Sequence, residues 1–337
     1  MKRLSLVLGI VLVAGMAMAQ PNTAVVTDNG SFNASYINQL GGVNGNNSAT
    51  ITQIGDLNNA AVGDHAASSL FPVLTGTKGI TQSGKGNTGS ISQTNLFTGT
   101  VSAGPEAGMG QYGMDNTATI TQSHNSAWMQ EYAFAKQEGN SNFSLQNQSK
   151  MFGYSHVWQV GDDNKAETQQ SGGYSQKANI LQNGDNNEAY QFQGSTTLSY
   201  TQNNVAEASQ LGDHNQSWQV QKGSENFAKT TQETNDNDAY LYQNGNNNRA
   251  TILQKTGNLN VVNLTQDGGA VADILQNGAN NTLMGLGADI MATSLNGSTL
   301  NLDQLGNGNT LHLQQTNGGA ATVMQNGITN TSVVIQN

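Results

Sequence analysis

There is no cysteine in this chain, so neither a disulfide nor a thiolate metal site holds it together. Proline is nearly absent as well, with three in 337 residues, and two of these, Pro72 and Pro105, sit in stretches that break the sequence pattern described below. A chain that keeps proline out of its regular segments keeps every backbone N–H there available for pairing. Charge is scarce too: Lys and Arg number 12 against 22 Asp and Glu, and charged residues make up 10% where a typical domain has ~25%. A sparse charge with a net of -10 gives no footprint for nucleic acid or for an anionic membrane surface.

Long apolar runs are confined to the start. Lys2 and Arg3 precede an apolar stretch from Leu4 to Ala14, and Ala17-Met18-Ala19 supplies a small-residue cleavage site. Residues 1–19 therefore read as a secretory signal peptide, too short for the ~20 apolar residues of a membrane span. The exported chain is expected to begin at Gln20, with 20–30 as a short leader and no membrane insertion.

What the chain has in abundance is amide. Counting one glutamine per unit from Gln39 to Gln336 gives 23 positions and 22 intervals, of which 11 equal eleven residues and four more equal ten or twelve. A fixed period over such a length is the signature of a repeat array. Stepping backward by twos from the glutamine gives Asn47-Ala49-Ile51-Gln53, Asn116-Ala118-Ile120-Gln122, Asn226-Ala228-Thr230-Gln232, Asn237-Ala239-Leu241-Gln243 and Asn248-Ala250-Ile252-Gln254. Alternation of period two makes each unit a β-strand. Glycine two residues after the glutamine, as at Gly55, Gly139, Gly212 and Gly245, then Asn, Asp or Ser, marks a tight arc.

Three intervals are too long, and each can be filled by a degraded unit ending at Asp64, Gly104 or Gly287, leaving loop insertions near 65–78, 105–114 and 288–297. Adding these three to the glutamines gives 26 strands. The predicted fold is all-β, a two-stranded-per-rung parallel β-solenoid with two facing sheets over 31–337, about 13 rungs of 22 residues. Around Gln202 the spacing shrinks to nine and eight, so a strand there is in doubt.

Stacked rungs put the same side chain at ~4.8 Å repeats. The inward positions hold Ala, Ile, Leu and Val together with amides. A buried amide costs a few kcal/mol unless its donors and acceptors are met, and identical amides on successive rungs meet each other. The expected inward ladder residues are Asn47, Gln53, Asn116, Gln122, Gln148, Gln159, Gln170, Asn226, Gln232, Asn237, Gln243, Asn248, Gln254, Gln315 and Gln336. Thr50, Thr52, Trp158, Trp218, Asp238, Tyr240 and Tyr242 are expected to point outward. Both ends break off within repeats, with Asn33, Ile37 and Gln39 at one and Val334 and Gln336 at the other, and an uncapped strand is a template for another chain. These are the expected polymerisation ends.

Asn237, Gln243, Gly245, Asn248, Ala250 and Gln254 resemble the curlin repeat of curli fibre subunits, as do Asn226 and Gln232 in the preceding unit, where Thr234 stands at the glycine position. That resemblance implies a secreted bacterial subunit of extracellular amyloid fibres in the biofilm matrix. It also implies an outer-membrane secretion channel, periplasmic chaperones and a nucleating minor subunit as partners. The minor nucleating subunit is the nearest alternative role.

Other classes fit less well. A Gln/Asn-rich disordered tract has no reason to keep apolar residues in phase. An ice-binding solenoid needs T-x-T on consecutive rungs, whereas Thr50-Ile51-Thr52 and Thr119-Ile120-Thr121 lie far apart. No serial G-G-x-G-x-D marks a calcium β-roll, so Asp162, Asp163, Asp185 and Asp213 read as solvated arc charges that discourage aggregation. His65, His124, His156, His214 and His312 are dispersed without a ligand pair. No enzyme, cofactor or metal is expected.

Overall fold

The computed structural model describes residues 22–30, 34–41, 46–54, 59–60, 79–95, 105–124, 131–149, 152–172, 175–194, 203–286 and 291–337. The expected signal peptide, Asn33, Asp64, the 65–78 loop, His65, Gly104, Gln202 and Gly287 lie outside them. Every described element is a strand and every pairing is parallel, in register throughout except where Arg249–Thr256 slips by one residue after Gln254 against Val271–Asn277. The chain forms two compact units, residues 1–163 and 164–337.

In the first unit one sheet runs Thr23–Asn29, Ser48–Ile54, Thr88–Asn95, Thr117–His124 and Phe143–Ser149. The facing sheet begins with Ala34–Ser35 and Ile37–Gly41, then Asn59–Ala60 with Gly79–Lys85, then Glu106–Met114, Glu131–Asn140 and Gly153–Val160. Successive strands alternate between sheets, so each strand pairs with the next but one. In the second unit Lys165–Ser171, Glu188–Gly194, Gln216–Lys222, Asp238–Asn244, Val261–Asp267, Thr282–Met284 with Ala292–Leu295, Thr310–Gln315 and Thr331–Gln336 make one sheet. Gln176–Asn183, Val205–Leu211, Phe227–Gln232, Arg249–Thr256, Val271–Asn277, Thr299–Asn307 and Ala320–Ile328 make the other. Each unit is a two-sheet parallel β-solenoid, as the period of eleven predicted.

The strand count was nearly right for partly wrong reasons. Among the described residues there are 28 strands, but three pairs are halves of one arm, which leaves 25 arms. Asn59-Ala60 and Gly79–Lys85 belong to a single arm: Asn59 pairs Glu106, Gly79 pairs Gly108 and Ile80 pairs Met109. The ladder position of that rung is therefore Gln82 and not Asp64. Thr88–Asn95 and Glu106–Met114 are consecutive arms on opposite sheets, so no rung is left for Gly104. The 105–114 stretch, expected to be a loop, is a strand from Glu106 whose Gln111 is buried in the ladder. Glu188–Gly194 and Val205–Leu211 are consecutive described arms on opposite sheets, and Gln202 lies outside the described residues. In the second unit Leu264 pairs Ala292 and Gln266 pairs Ser294, so Ser294 takes the place expected of Gly287, and 292–295 is strand rather than insertion. The leader is also structured, because Thr23–Asn29 pairs with Ser48–Ile54 along its whole length.

Apolar inward positions form one core in each unit. Ala49, Ile51, Ile80, Ile91, Met109 and Ile120 pack in the first, and Leu241, Ile252, Leu264, Ile274, Leu302 and Leu313 in the second. The arcs are as tightly specified as the strands. Gly139 has φ 114, and a Cβ there would overlap the carbonyl oxygen of Gly161 in the arc of the next rung. Residues preceding the ladder asparagines also take positive φ, although they are Asp115, Ser141, Asp163, Asn186 and Asn247 rather than glycine.

Insertions that leave and re-enter an arm without shifting register are dispensable to it. Deleting residues 61–78, so that Ala60 joins Gly79, is expected to keep the far-ultraviolet β spectrum and the melting midpoint within a few degrees. A collapse of the spectrum would show that the arm is not continuous across the deletion.

Candidate functional site

The feature that repeats in every rung is a column of buried amides. In the first unit Gln53 Nε2 donates to Gln93 Oε1 at 2.8 Å, Gln93 to Gln122 at 2.9 Å and Gln122 to Gln148 at 2.8 Å. On the facing sheet Gln39 donates to Gln82, Gln82 to Gln111, Gln111 to Gln137 and Gln137 to Gln159, all at 2.8–2.9 Å. In the second unit one column links Gln170, Gln193, Gln221, Gln243 and Gln266, and the other links Gln182, Gln210, Gln232, Gln254, Gln276, Gln304 and Gln325. In each bond the donor is the rung nearer the N-terminus.

The second N–H of each amide pins one sheet to the other. Gln232 Nε2 also reaches the carbonyl of Gln216 on the facing sheet at 2.9 Å and that of Asn237 at the end of the arc at 2.7 Å. Gln254 does the same with Asp238 and Asn260. Such a side chain holds rung to rung and sheet to sheet at once.

Asparagine forms a second column with the opposite sense. The backbone N and Nδ2 of Asn116 donate back to Asn87 Oδ1, each at 3.1 Å, and those of Asn142 donate back to Asn116 Oδ1. Nδ2 also caps an arc carbonyl one rung on, Gly139 O at 2.7 Å for Asn116 and Gly245 O at 2.9 Å for Asn226. In the second unit Asn187, Asn215, Asn237, Asn260, Asn281, Asn309 and Asn330 continue one such column, and Asn204, Asn226 and Asn248 the other. Thr234, which replaces the arc glycine, relays this cap: Asn237 Nδ2 meets Thr234 Oγ1 at 3.1 Å, and that hydroxyl donates to Gly257 O.

Of the residues singled out from sequence, Asn47, Gln53, Asn116, Gln122, Gln148, Gln159, Gln170, Asn226, Gln232, Asn237, Gln243, Asn248, Gln254 and Gln315 are all buried. Gln336 is half-buried at the edge of its sheet, where it accepts from Gln315 at 2.6 Å. The expected-outward Trp218 is exposed, and Tyr240 and Tyr242 are partly so. Tyr190, Trp218 and Tyr240 form an outer column with ring centroids 5.3 and 6.1 Å apart. Burial and the nearby Glu167 hold the Tyr190 phenol above its ordinary range. Beside it Lys165 bonds Glu188 and Glu167 at 2.9 and 3.1 Å, which raises its own pKa. Among the described residues no group of His, Asp and Glu is placed to hold a metal.

Three features escaped the sequence reading. Gln146, Gln191 and Gln219 occupy the inward place that Ile or Leu holds elsewhere, and Gln191 donates to Gln219 at 2.9 Å, a second amide column whose signal is Q-x-Q. The arc acids are not merely solvated, since Asn140 N donates to Asp162 Oδ1 at 2.7 Å and Asp185 N to Asp213 Oδ1 at 2.9 Å across rungs. Finally, the ladder has a gap at Ser294, whose side chain is too short to span it. Its hydroxyl and Gln315 Oε1 are both buried without a partner.

These contacts set the mutational expectations. Gln243→Ala or Asn237→Ala removes bonds on both sides of a rung and is expected to cost ~1–3 kcal/mol in denaturant titration. Ser294→Gln closes the gap and is expected to add about 1 kcal/mol by the same measurement. Asp238 differs in sign. Its half-buried carboxyl is held above the usual carboxylate range by desolvation and by Asp236, so its ionised form strains the fold by an amount that grows as pH rises past the ordinary carboxylate pKa and is complete above the raised one. Asp238→Asn is therefore expected to raise the melting midpoint at pH 7, with the advantage vanishing near pH 3, where both states are protonated.

No helix among the described residues is long and apolar enough to cross a membrane. No curated protein matches the chain. Residues 234–268 match the curlin associated repeat, so the chain carries a curlin-type repeat in the stretch where Asn237, Gln243, Asn248, Gln254 and Gln266 continue the ladders.

Proposed function

We propose that this protein is a secreted structural subunit that polymerises end to end into extracellular, curli-like amyloid fibres serving a biofilm matrix and adhesion. The observation that carries this reading is the curlin associated repeat at residues 234–268, seated in stacks whose other arms use the same amide positions. Supporting it, the edge arms Thr23–Asn29 and Thr331–Gln336 each have one side without a strand among the described residues. Such an edge presents a row of backbone donors and acceptors to a second copy. The resemblance also suggests export through an outer-membrane channel with periplasmic chaperones, and seeding by a nucleating subunit. The chemistry is structural rather than catalytic, since buried carboxamides are neither acids nor nucleophiles at neutral pH.

The chain from Gln20 onward, purified in denaturant and diluted to micromolar concentration, is expected to form thioflavin-positive fibres with a reflection near ~4.7 Å. A protein that stays monomeric and thioflavin-negative under these conditions is not a fibre subunit.

A further inference from the structure

The amide columns have a direction, and that direction makes the two open edges chemically unlike. At the edge made by Ala320–Ile328 and Thr331–Gln336, the last glutamines have no further amide among the described residues to donate to. Gln336 Nε2 bonds only Ala320 O, at 2.9 Å, leaving one N–H without an acceptor. Gln325 Nε2 donates to Thr310 O at 2.8 Å and turns its other N–H to Ser332 Oγ, 3.1 Å away, a hydroxyl standing in for the Oε1 that a glutamine deeper in the column would meet. At the other edge, made by Thr23–Asn29 and residues 34–41, the ladder positions offer acceptors. Gln39 donates inward to Gln82 and to Thr23 O, and its own Oε1 receives no donor among the described residues.

The first ladder position among the described residues is not an amide. Asp28 pairs with Gln53 in the strand register, so it holds a glutamine's place with a group that, ionised, only accepts. Ser35 Oγ lies 2.7 Å from Gln53 Oε1 and 3.0 Å from Asp28 Oδ1, and its single proton is shared between them. The hydroxyl thus supplies the donor that Gln53 lacks, and the carboxylate is left short of donors.

We propose that Asp28 is a junction residue that receives the Gln325 side chain of a second copy, in one specific register. Arms alternate between sheets, so the arm that continues the coil past Thr331–Gln336 must lie over Ala320–Ile328. In a second copy this is Thr23–Asn29, with Ala34–Gly41 following over Thr331–Gln336. Carrying the glutamine register across puts Val26 on Val323, Asp28 on Gln325, Ile37 on Val334 and Gln39 on Gln336. Each inward contact is apolar on apolar or acceptor on donor. Exposure supports the same surface independently: of the 14 exposed large apolar side chains among the described residues, seven, namely Val25, Val26, Tyr36, Met324, Ile328, Val333 and Ile335, lie on these four arms. The opposite pairing, Thr23–Asn29 on Thr331–Gln336, leaves Ala320–Ile328 without an arm above it.

This inference rests on the end-to-end reading, and the test separates the two. The absence of native cysteine permits disulfide mapping. Outward residues in the proposed register, Thr27 and Met324, become neighbours on adjacent parallel strands, within the ~4.4–6.8 Å Cα range of a disulfide. Full chains carrying Thr27→Cys and Met324→Cys, mixed and assembled under mild oxidant, are expected to give a disulfide-linked dimer. The mixture of Thr27→Cys and Ile335→Cys is expected to give none. Asp28→Lys, which sets a donor against donors, is expected to slow fibre growth at least about tenfold, and Asp28→Gln to restore it. If no variant forms fibres, the end-to-end reading falls. If fibres form but the Thr27/Met324 link is missing, or the Thr27/Ile335 link appears instead, the junction assigned here is wrong.

Discussion

A carboxamide taken out of water must find replacements for every hydrogen bond it loses, and this requirement organises the molecule. Two donors and an acceptor on each buried glutamine cannot be met by an apolar core. They are met here by the same side chain one rung away and by carbonyls of the facing sheet, as at Gln82, Gln111, Gln210 and Gln232. Identical neighbours at the strand spacing are the simplest solution, and repetition of sequence supplies them. The strands are parallel and in register because any slip would separate every amide from its mate.

Satisfying the amides leaves little freedom elsewhere. Arcs must turn within about five residues and still stack, so at Gly84, Gly113 and Gly139 the carbonyl of the next arc glycine leaves no room for a side chain. Variation is displaced to two kinds of place. Extra chain leaves between Ala60 and Gly79, and between Met284 and Ala292, without changing the pairing on either side. Polar substitution enters the middle inward position, where Gln191 and Gln219 bond each other and Gln219 also reaches Thr230 Oγ1 at 2.9 Å. Both tolerate change because the glutamine and asparagine columns beside them stay intact.

This division explains what could be read from the sequence. Period, strand, arc and the inward face were legible because Asn, Ala, Ile and Gln repeat with a spacing that only one fold satisfies. The errors came from counting forward by eleven through an insertion. Asp64 lies eleven beyond Gln53, yet the arm of Asn59–Ala60 is completed by Gly79–Lys85 with Gln82 at its ladder position, so the insertion foreseen near Pro72 falls within an arm rather than after one. Gln111 was overlooked although Gln111, Gly113 and Asn116 carry the repeat spacing intact, because Pro105 and the nearby glycines suggested a loop. Thr23–Asn29 was read as a leader because Asp28 stands where glutamine was sought. A carboxylate can hold a ladder position only where it need not donate, which is at an edge, and composition alone gives no hint of which edge.

Direction is the remaining constraint. A long column of amides all pointing one way builds a dipole that grows with length, as in a helix. Here the glutamines donate toward the C-terminal rungs, as Gln221 does to Gln243, while the asparagines donate toward the N-terminal ones, as Asn237 does to Asn215. The two columns run side by side on the same arms, so their dipoles oppose. Opposition of this kind lets a stack lengthen without accumulating field at its ends. What survives the cancellation is local: the spare N–H of Gln336, and that of Gln325 held for now by Ser332 Oγ, at one edge, and acceptors from Gln39 and Asp28 at the other. A surface that is neutral at long range and complementary at contact discourages like edges from meeting while permitting unlike ones, and it does so with hydrogen bonds in place of charge.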